Sequence, residues 1–301
     1  MRIHWRTSLS KLLEKTRQIL FLTDFELKKL FRQKQGYAGL AVIILLVALC
    51  AIGVYLRIYY PPKHVHVPNK FFGQMLKDLV NGVSFSLTVL LPGIYILLPL
   101  VVGIFAAGSF AAEFQNGQVR TVSLRSVPRL SIVLAKFIAL SFYSYVLLGV
   151  MMVISYACGA FMFGATGDIL LFGPAFLGKE AGIYIMDGSI AYQRLFLAYF
   201  FAGYALLSIV AMFLMFSAIF KKMTMAVVIP MGIYFTSYIL GALPFMESLQ
   251  RFLPTRYIMV WKYTMAQDIM WDAMLSDGIF LGLYTVSYLI IASVIMNTSD
   301  L

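Results

Sequence analysis

The chain has 301 residues, of which 61% are hydrophobic and 15% aromatic while only 12% are charged, and its mean hydropathy is +0.86. That balance excludes a soluble globular protein and predicts an all-α, polytopic membrane protein. The net charge of +11 accompanies no nucleic-acid-binding pattern, so it is read as a topology signal and nucleic acid is excluded as a partner.

Residues 1–36 form the first unit, a cytoplasmic amphipathic segment. Over 7–35, Leu9, Leu12, Leu13 and Leu20 keep a helical stripe opposite Lys11, Lys15 and Arg17, the pattern of an interfacial helix in the headgroups. A second helix start is expected at "TDFE", with Thr23 as cap, Glu26 returning the bond, and Asp24 and Lys28 one turn apart. Gly36 then turns the chain into the membrane. A basic anchor that only fixes topology is the alternative reading of this arm. No cleavable signal peptide is visible, so the first span is expected to serve as the targeting signal.

Residues 37–301 form the second unit, which spans the membrane. Six charge-free windows are long enough to cross a hydrocarbon core roughly 30 Å thick. They are Tyr37 to Leu56, Val83 to Ala112, Phe137 to Phe163, Leu195 to Phe220, Met223 to Met246 and Gly278 to Met296. Six spans are therefore predicted. The second carries Pro92 and Pro99, which predict a kink, and its run Ala106 to Ala112 favours close helix packing. Only "KKM" separates the fourth window from the fifth, which demands a tight hairpin. Cys50 and Cys158, the two cysteines, fall inside spans, so no disulfide framework is expected.

With the N-terminus inside, 15 of the 24 lysines and arginines lie on inside segments, which predicts cytoplasmic termini. Residues 57–82, with "PPKHVHVPNK", read as an extended, turn-rich outside loop. Residues 247–277 are amphipathic and are expected on or partly in the outer leaflet, with Trp261 and Trp271 at the interface.

Candidate chemistry is sparse. "GPAFLGKE", Gly173 to Glu180, fits the phosphate-loop spacing but ends in Glu where a hydroxyl should hold magnesium, and Pro174 removes a backbone donor. No nucleotide site is assigned to it. His64 and His66 alternate on an outside loop without a third ligand nearby, so no metal site is assigned either. No Ser, His and Asp set suits nucleophilic catalysis. None of the six windows contains Asp, Glu, Lys, Arg or His, so the chain lacks the intramembrane charges that ion-driven transporters use. What the spans contain instead is Ser, Thr and Tyr, among them Ser86, Tyr143, Tyr234 and Ser237, suited to interhelical hydrogen bonds or a mildly polar substrate path.

The 24-residue connector "EFQNGQVRTVSLRSVPRLSIVLAK", residues 113–136, interrupts this pattern with four cations and one acid. Gly117 can turn the chain just beyond the membrane, and "QVRTVSLRSV" supplies about three helical turns before Pro128. Arg120 and Arg125 face water or a partner, and Glu113 can pair with Arg120 or with an N-terminal cation. Such a connector is either a plain positive-inside loop or a knob that a soluble partner grips.

Residues Glu113, Phe114, Asn116, Gly117 and Arg120, followed by Arg129 and Lys136, resemble the cytoplasmic segment of bacterial type-2 ATP-binding-cassette (ABC) permeases, with the pattern E-F-x-N-G-T-I-R, then S-R, then K. Gln118 replaces the usual Thr, and Pro128 stands where Ser is common. The resemblance implies a coupling helix that docks on a separate cytosolic ABC ATPase, two such ATPases with two permease chains, and a homodimer in the bacterial inner membrane. It further implies that ATP binds the partner and that this chain carries no cofactor. The implied coupling residues are Glu113, Phe114, Gly117, Arg120, Arg125 and Arg129, and the implied activity is export of an amphipathic substrate. A non-transporting membrane scaffold or sensor shares the topology and is the alternative. An integral membrane enzyme is disfavoured by the uncharged spans.

Overall fold

Nothing in "ILFL", residues 19–22, breaks a helix, and in the computed structural model one helix, α1, runs from Arg2 to Arg32. The structure describes residues 2–32, 34–60, 80–117, 128–165, 167–172, 183–243 and 247–298. Thr23 therefore does not start a second helix. Its Oγ1 donates 2.8 Å back to the Ile19 carbonyl, the bond a threonine makes when the preceding turn is already helical. The pairing one turn apart is present as expected, with Lys28 Nζ 2.6 Å from Asp24.

Six helices among the described residues are long and apolar enough to cross a membrane. Span one is α2, Lys34–Tyr59. Span two comprises α3, Gly82–Pro92, and α4, Leu98–Gln115, joined by a π turn at Gly93–Leu97. Spans three to six are α5, Arg129–Phe163; α6, Gly188–Ile219; α7, Met223–Ala242; and α10, Trp271–Thr298.

Several helices outrun the apolar windows. Span three begins at Arg129 rather than Phe137, span four at Gly188 and span six at Trp271, while span five stops at Ala242. A charge ends an apolar window but not a helix, because a turn outside the hydrocarbon need not be apolar. Spans two and three, at 34 and 35 residues, are each about 50 Å long at 1.5 Å per residue. Their ends must project beyond the bilayer core.

The kink expected in span two takes the form of the π turn. Pro92 has no N–H to give the ladder, and the five-residue turn directly after it absorbs the mismatch. Pro99 falls in the first turn of α4, directly after the π turn.

Spans two and four form the centre of the bundle, with 67% and 78% of an apolar 18-residue stretch buried, whereas in spans one, five and six that share is 22% and they make its periphery. Small residues allow the central helices to approach. A Cβ on Gly103 would lie 2.6 Å from the Phe213 ring, and one on Gly203 would lie 2.1 Å from Tyr145. In the Ala106 to Ala112 run, Ser217 of span four reaches the backbone of span two, donating to the Ala107 carbonyl at 2.6 Å and accepting from the Phe110 and Ala111 amides at 3.0 Å. The hydroxyls of the spans tie helices together: Ser86 meets Ser155 at 2.8 Å and Tyr199 at 3.0 Å, Tyr234 donates to the Tyr95 carbonyl, and Tyr143 to that of Gly36.

Alternation of the spans creates two faces. One, the connector face, gathers α1, the end of span two, the start of span three, the tight turn at Phe220, Lys221 and Lys222, and the end of span six. On the other, Asn81 caps α3 by accepting from the Val83 and Ser84 amides and donates to the Gly167 and Asp168 carbonyls. A small antiparallel ladder of β1, Ile169–Phe172, and β2, Ile183–Met186, stands beside it, an addition to the otherwise helical architecture.

The segment before span six is more deeply seated than its amphipathic sequence suggests. It folds as α8, Glu247–Gln250, α9, Pro254–Tyr257, and a 3-10 helix, Ile258–Met265. Val260, Trp261 and Thr264 are fully buried. Trp261 is thus a packing residue rather than an interfacial anchor, whereas Trp271 remains half-exposed. Arg194 of span four holds the segment through the Thr264 and Gln267 carbonyls. His64, His66 and the Gly173 to Glu180 segment lie outside the described residues.

Gly103→Leu is expected to destabilise the fold by about 1–3 kcal/mol through overpacking. Gly53→Leu, at a position where a Cβ meets nothing within 4 Å, should leave it unchanged. Thermal unfolding of both variants in detergent checks this.

Candidate functional site

The connector face is organised by four charged side chains from three helices. Glu113 is in the last turn of span two, Lys136 in the third turn of span three, and Glu26 and Lys29 on neighbouring turns of α1. Lys136 is 2% exposed, and an isolated ammonium so placed would be strongly unfavourable. Its Nζ donates to Glu113 Oε1 at 2.7 Å and to Glu26 Oε1 at 2.8 Å. Glu113 Oε1 also accepts from Lys29 Nζ at 2.6 Å. The Phe110 ring, 5.3 Å from Lys136 Nζ, closes one side of the cluster. Two cations and two carboxylates cancel, so the node is neutral, with Lys136 buried and its three partners partly exposed.

Burial works against the charge on Lys29. The hydrogen bond and charge of Glu113, with Glu26 beyond it, outweigh that cost and raise its pKa above the ordinary lysine value. A raised lysine pKa contributes stability that is complete below the ordinary value and is lost only as pH rises through the folded one. The tie between α1 and span two is therefore intact at neutral pH.

Of the six implied coupling residues, four lie among those described. Glu113 pairs with an N-terminal cation, Lys29, in addition to Lys136. Phe114 is half-buried, with Lys221 Nζ 5.9 Å above its ring. Gly117 has φ +67°, a left-handed conformation that L side chains rarely adopt, and its amide donates to the Phe114 carbonyl at 3.2 Å. A Cβ there would meet nothing within 4 Å, so backbone conformation rather than space calls for glycine. Arg129 caps the far end of the chain: one guanidinium nitrogen donates to the carbonyls of Met296 and Asn297, in the last turn of span six. Those carbonyls have no partner within their own helix, and a cation beside them also opposes the helix dipole. Arg120 and Arg125 lie outside the described residues.

Glu26 and Lys29 escape sequence reasoning. They lie 110 and 84 positions from their partners; locally Glu26 reads as a capping residue, and nothing singles out Lys29 among the cations of α1. Lys136 belongs to the connector pattern, but its burial is a tertiary fact. Mechanically, the node clamps both ends of the connector to each other and to α1, while Arg129 extends the clamp to span six. Four helices are thus joined at the roots of the connector.

Glu113→Ala leaves Lys136 with one acid and is expected to cost about 3–5 kcal/mol, as does Lys136→Ala, which leaves a carboxylate without its cation. The double variant should be less destabilised than the sum of the two, by roughly 0.5–3 kcal/mol. Denaturant unfolding of the three variants measures that coupling.

The family described as ABC-2 family transporter protein matches residues 22–218, from the second half of α1 to the end of span four. All four members of the node fall inside the match. No curated protein matches the chain. With about two thirds of its length matched and six helices able to cross a membrane, the chain belongs to the ABC-2 transporter family and is a multi-pass permease subunit of an ABC transporter.

Proposed function

We propose that this permease exports an amphipathic substrate, driven by two cytosolic ABC ATPases that bind and hydrolyse ATP and act on residues 113–136 as a coupling segment. In this reading two identical permease chains pair in a bacterial inner membrane. The connector face is cytoplasmic, and so are both termini. The chain binds no cofactor of its own; ATP stays on the partner.

The observation that carries the reading is the node at the base of the connector. A soluble motor that pushes a membrane helix needs a stiff lever, and a buried, fully paired ion cluster is stiff because each displacement strands a charge. Glu113 sits four residues before Gly117 at one root of the connector, and Lys136 is joined to it at the other. ATP-driven closure of the ATPases would move the connector, and the node would pass that movement to α1 and to spans two and three as one body. Energy supplied in this way agrees with spans whose apolar windows hold no Asp, Glu, Lys, Arg or His.

Crosslinking from a cysteine at Arg125→Cys, in a background where Cys50 and Cys158 are replaced, should capture a cytosolic phosphate-loop ATPase identifiable by mass spectrometry. Efficient crosslinking that captures no ATPase would overturn the coupling role.

Gly117→Val should depress both transport and substrate-stimulated ATPase activity in the reconstituted complex while membrane insertion is retained. Gly117→Asn should restore much of that loss, because asparagine tolerates the left-handed conformation. Unchanged transport in Gly117→Val would count against the reading.

A further inference from the structure

The node uses one side of α1 and leaves the other without a protein partner among the described residues. Thr23 and Leu30 are buried on the inner side, with Leu27 packed beside them. Phe21, Phe25, Lys28 and Arg32, spaced four, three and four residues apart, share the outer side as one stripe. Phe21 is 69% and Phe25 61% exposed, and Leu20 flanks them outward. A contiguous exposed apolar patch of this kind marks an interaction surface.

Charge identifies its occupant. Helix α1 carries eight cations and three acids. Apart from Lys29 and Glu26, the sequence of α1 holds seven cations and two acids, Glu14 and Asp24, both exposed. Asp24 is paired with Lys28, while Arg17 and Arg32 extend the basic character to both ends of the aromatic stripe. The setting favours a bilayer over a soluble protein, because span three, on which α1 packs, itself turns Ile138 and Phe142 outward, and Tyr37 at the start of span one does the same. Aromatic rings at the acyl boundary and cations at the phosphates are the arrangement of a helix lying on an acidic membrane surface.

We propose that the outer face of α1, formed by Arg17, Phe21, Phe25, Lys28 and Arg32, is a docking surface selective for the headgroups of anionic phospholipids. It differs from a purely apolar seat in requiring the cations, and it stands whether or not the connector engages an ATPase. Since Lys29 and Glu26 fix the opposite side of the same helix to spans two and three, lipid bound at this face is in mechanical contact with the node.

The test uses the full chain in nanodiscs, with Cys50 and Cys158 replaced and a bimane fluorophore on Leu20→Cys. Brominated phosphatidylglycerol and brominated phosphatidylcholine are compared as quenchers at equal mole fraction. The anionic lipid should be enriched at the dye roughly fivefold or more for each cation engaged, and so quench more strongly. The Arg17→Gln, Lys28→Gln, Arg32→Gln triple variant should lose that preference while keeping quenching by both lipids. Phe21→Ser with Phe25→Ser should lose quenching by both. Equal quenching of the parent chain by the two lipids would overturn the selectivity. Quenching by neither would overturn the membrane assignment and give the face to a soluble partner.

Discussion

The organisation of the connector face depends on the near-complete burial of one ammonium group, that of Lys136. Removing such a charge from water is expensive, and an ion pair offsets the expense only when geometry is close and the remaining donors are used. Glu113 and Glu26 approach within 2.8 Å, and the Phe110 ring supplies a third favourable contact. Satisfying one lysine in this way requires α1, the end of span two and the start of span three to meet at one point. Lys29 then balances the surplus negative charge. The position of α1 is therefore set by electrostatics at its inner side, aided by the packing of Leu30 and the Phe31 ring against Tyr143.

Below that node the bundle is held differently. Spans two and four meet through glycines and alanines, and their hydroxyls bond to backbone on the neighbouring helix, as Ser217 does to Ala107, Phe110 and Ala111. In a medium as apolar as the side chains themselves, close backbone approach and satisfied polar groups take the place of the hydrophobic effect as the source of cohesion. The π turn after Pro92 is the one break in regular helix within this central pair. It lies between two well-packed halves of span two, so movement of the connector end and of the opposite end need not be rigidly identical.

Taken together, these features suit a subunit that receives force instead of generating it. The charged groups of the bundle are concentrated at its ends: Glu113, Lys136 and Arg129 connect helices at the roots of the connector, and Arg194 joins span four to the segment before span six. Arg129 adds span six by capping its terminal carbonyls. The proposed lipid face of α1 adds the membrane surface to the same mechanical unit.

Composition, hydropathy and charge placement were enough to establish six spans, a helical fold and a basic amphipathic N-terminal helix, because crossing a hydrocarbon core imposes length and apolarity that are written locally. The turn at Gly117 was legible for the same reason, since a left-handed residue restricts its own position. Helix ends were less so, as at Thr23 and Arg129, because charge marks the membrane boundary and not the end of a hydrogen-bond ladder. What only tertiary structure decided was partnership. Glu113 was expected to pair with Arg120 or with an N-terminal cation, and its pairing with Lys29 and Lys136, with Glu26 completing the set, arises from the packing of α1 on span three. The burial of Trp261 likewise follows from where its segment folds and not from its residue type. Long-range ion pairs leave no periodic trace in a chain, so folding alone selects among chemically equivalent charges.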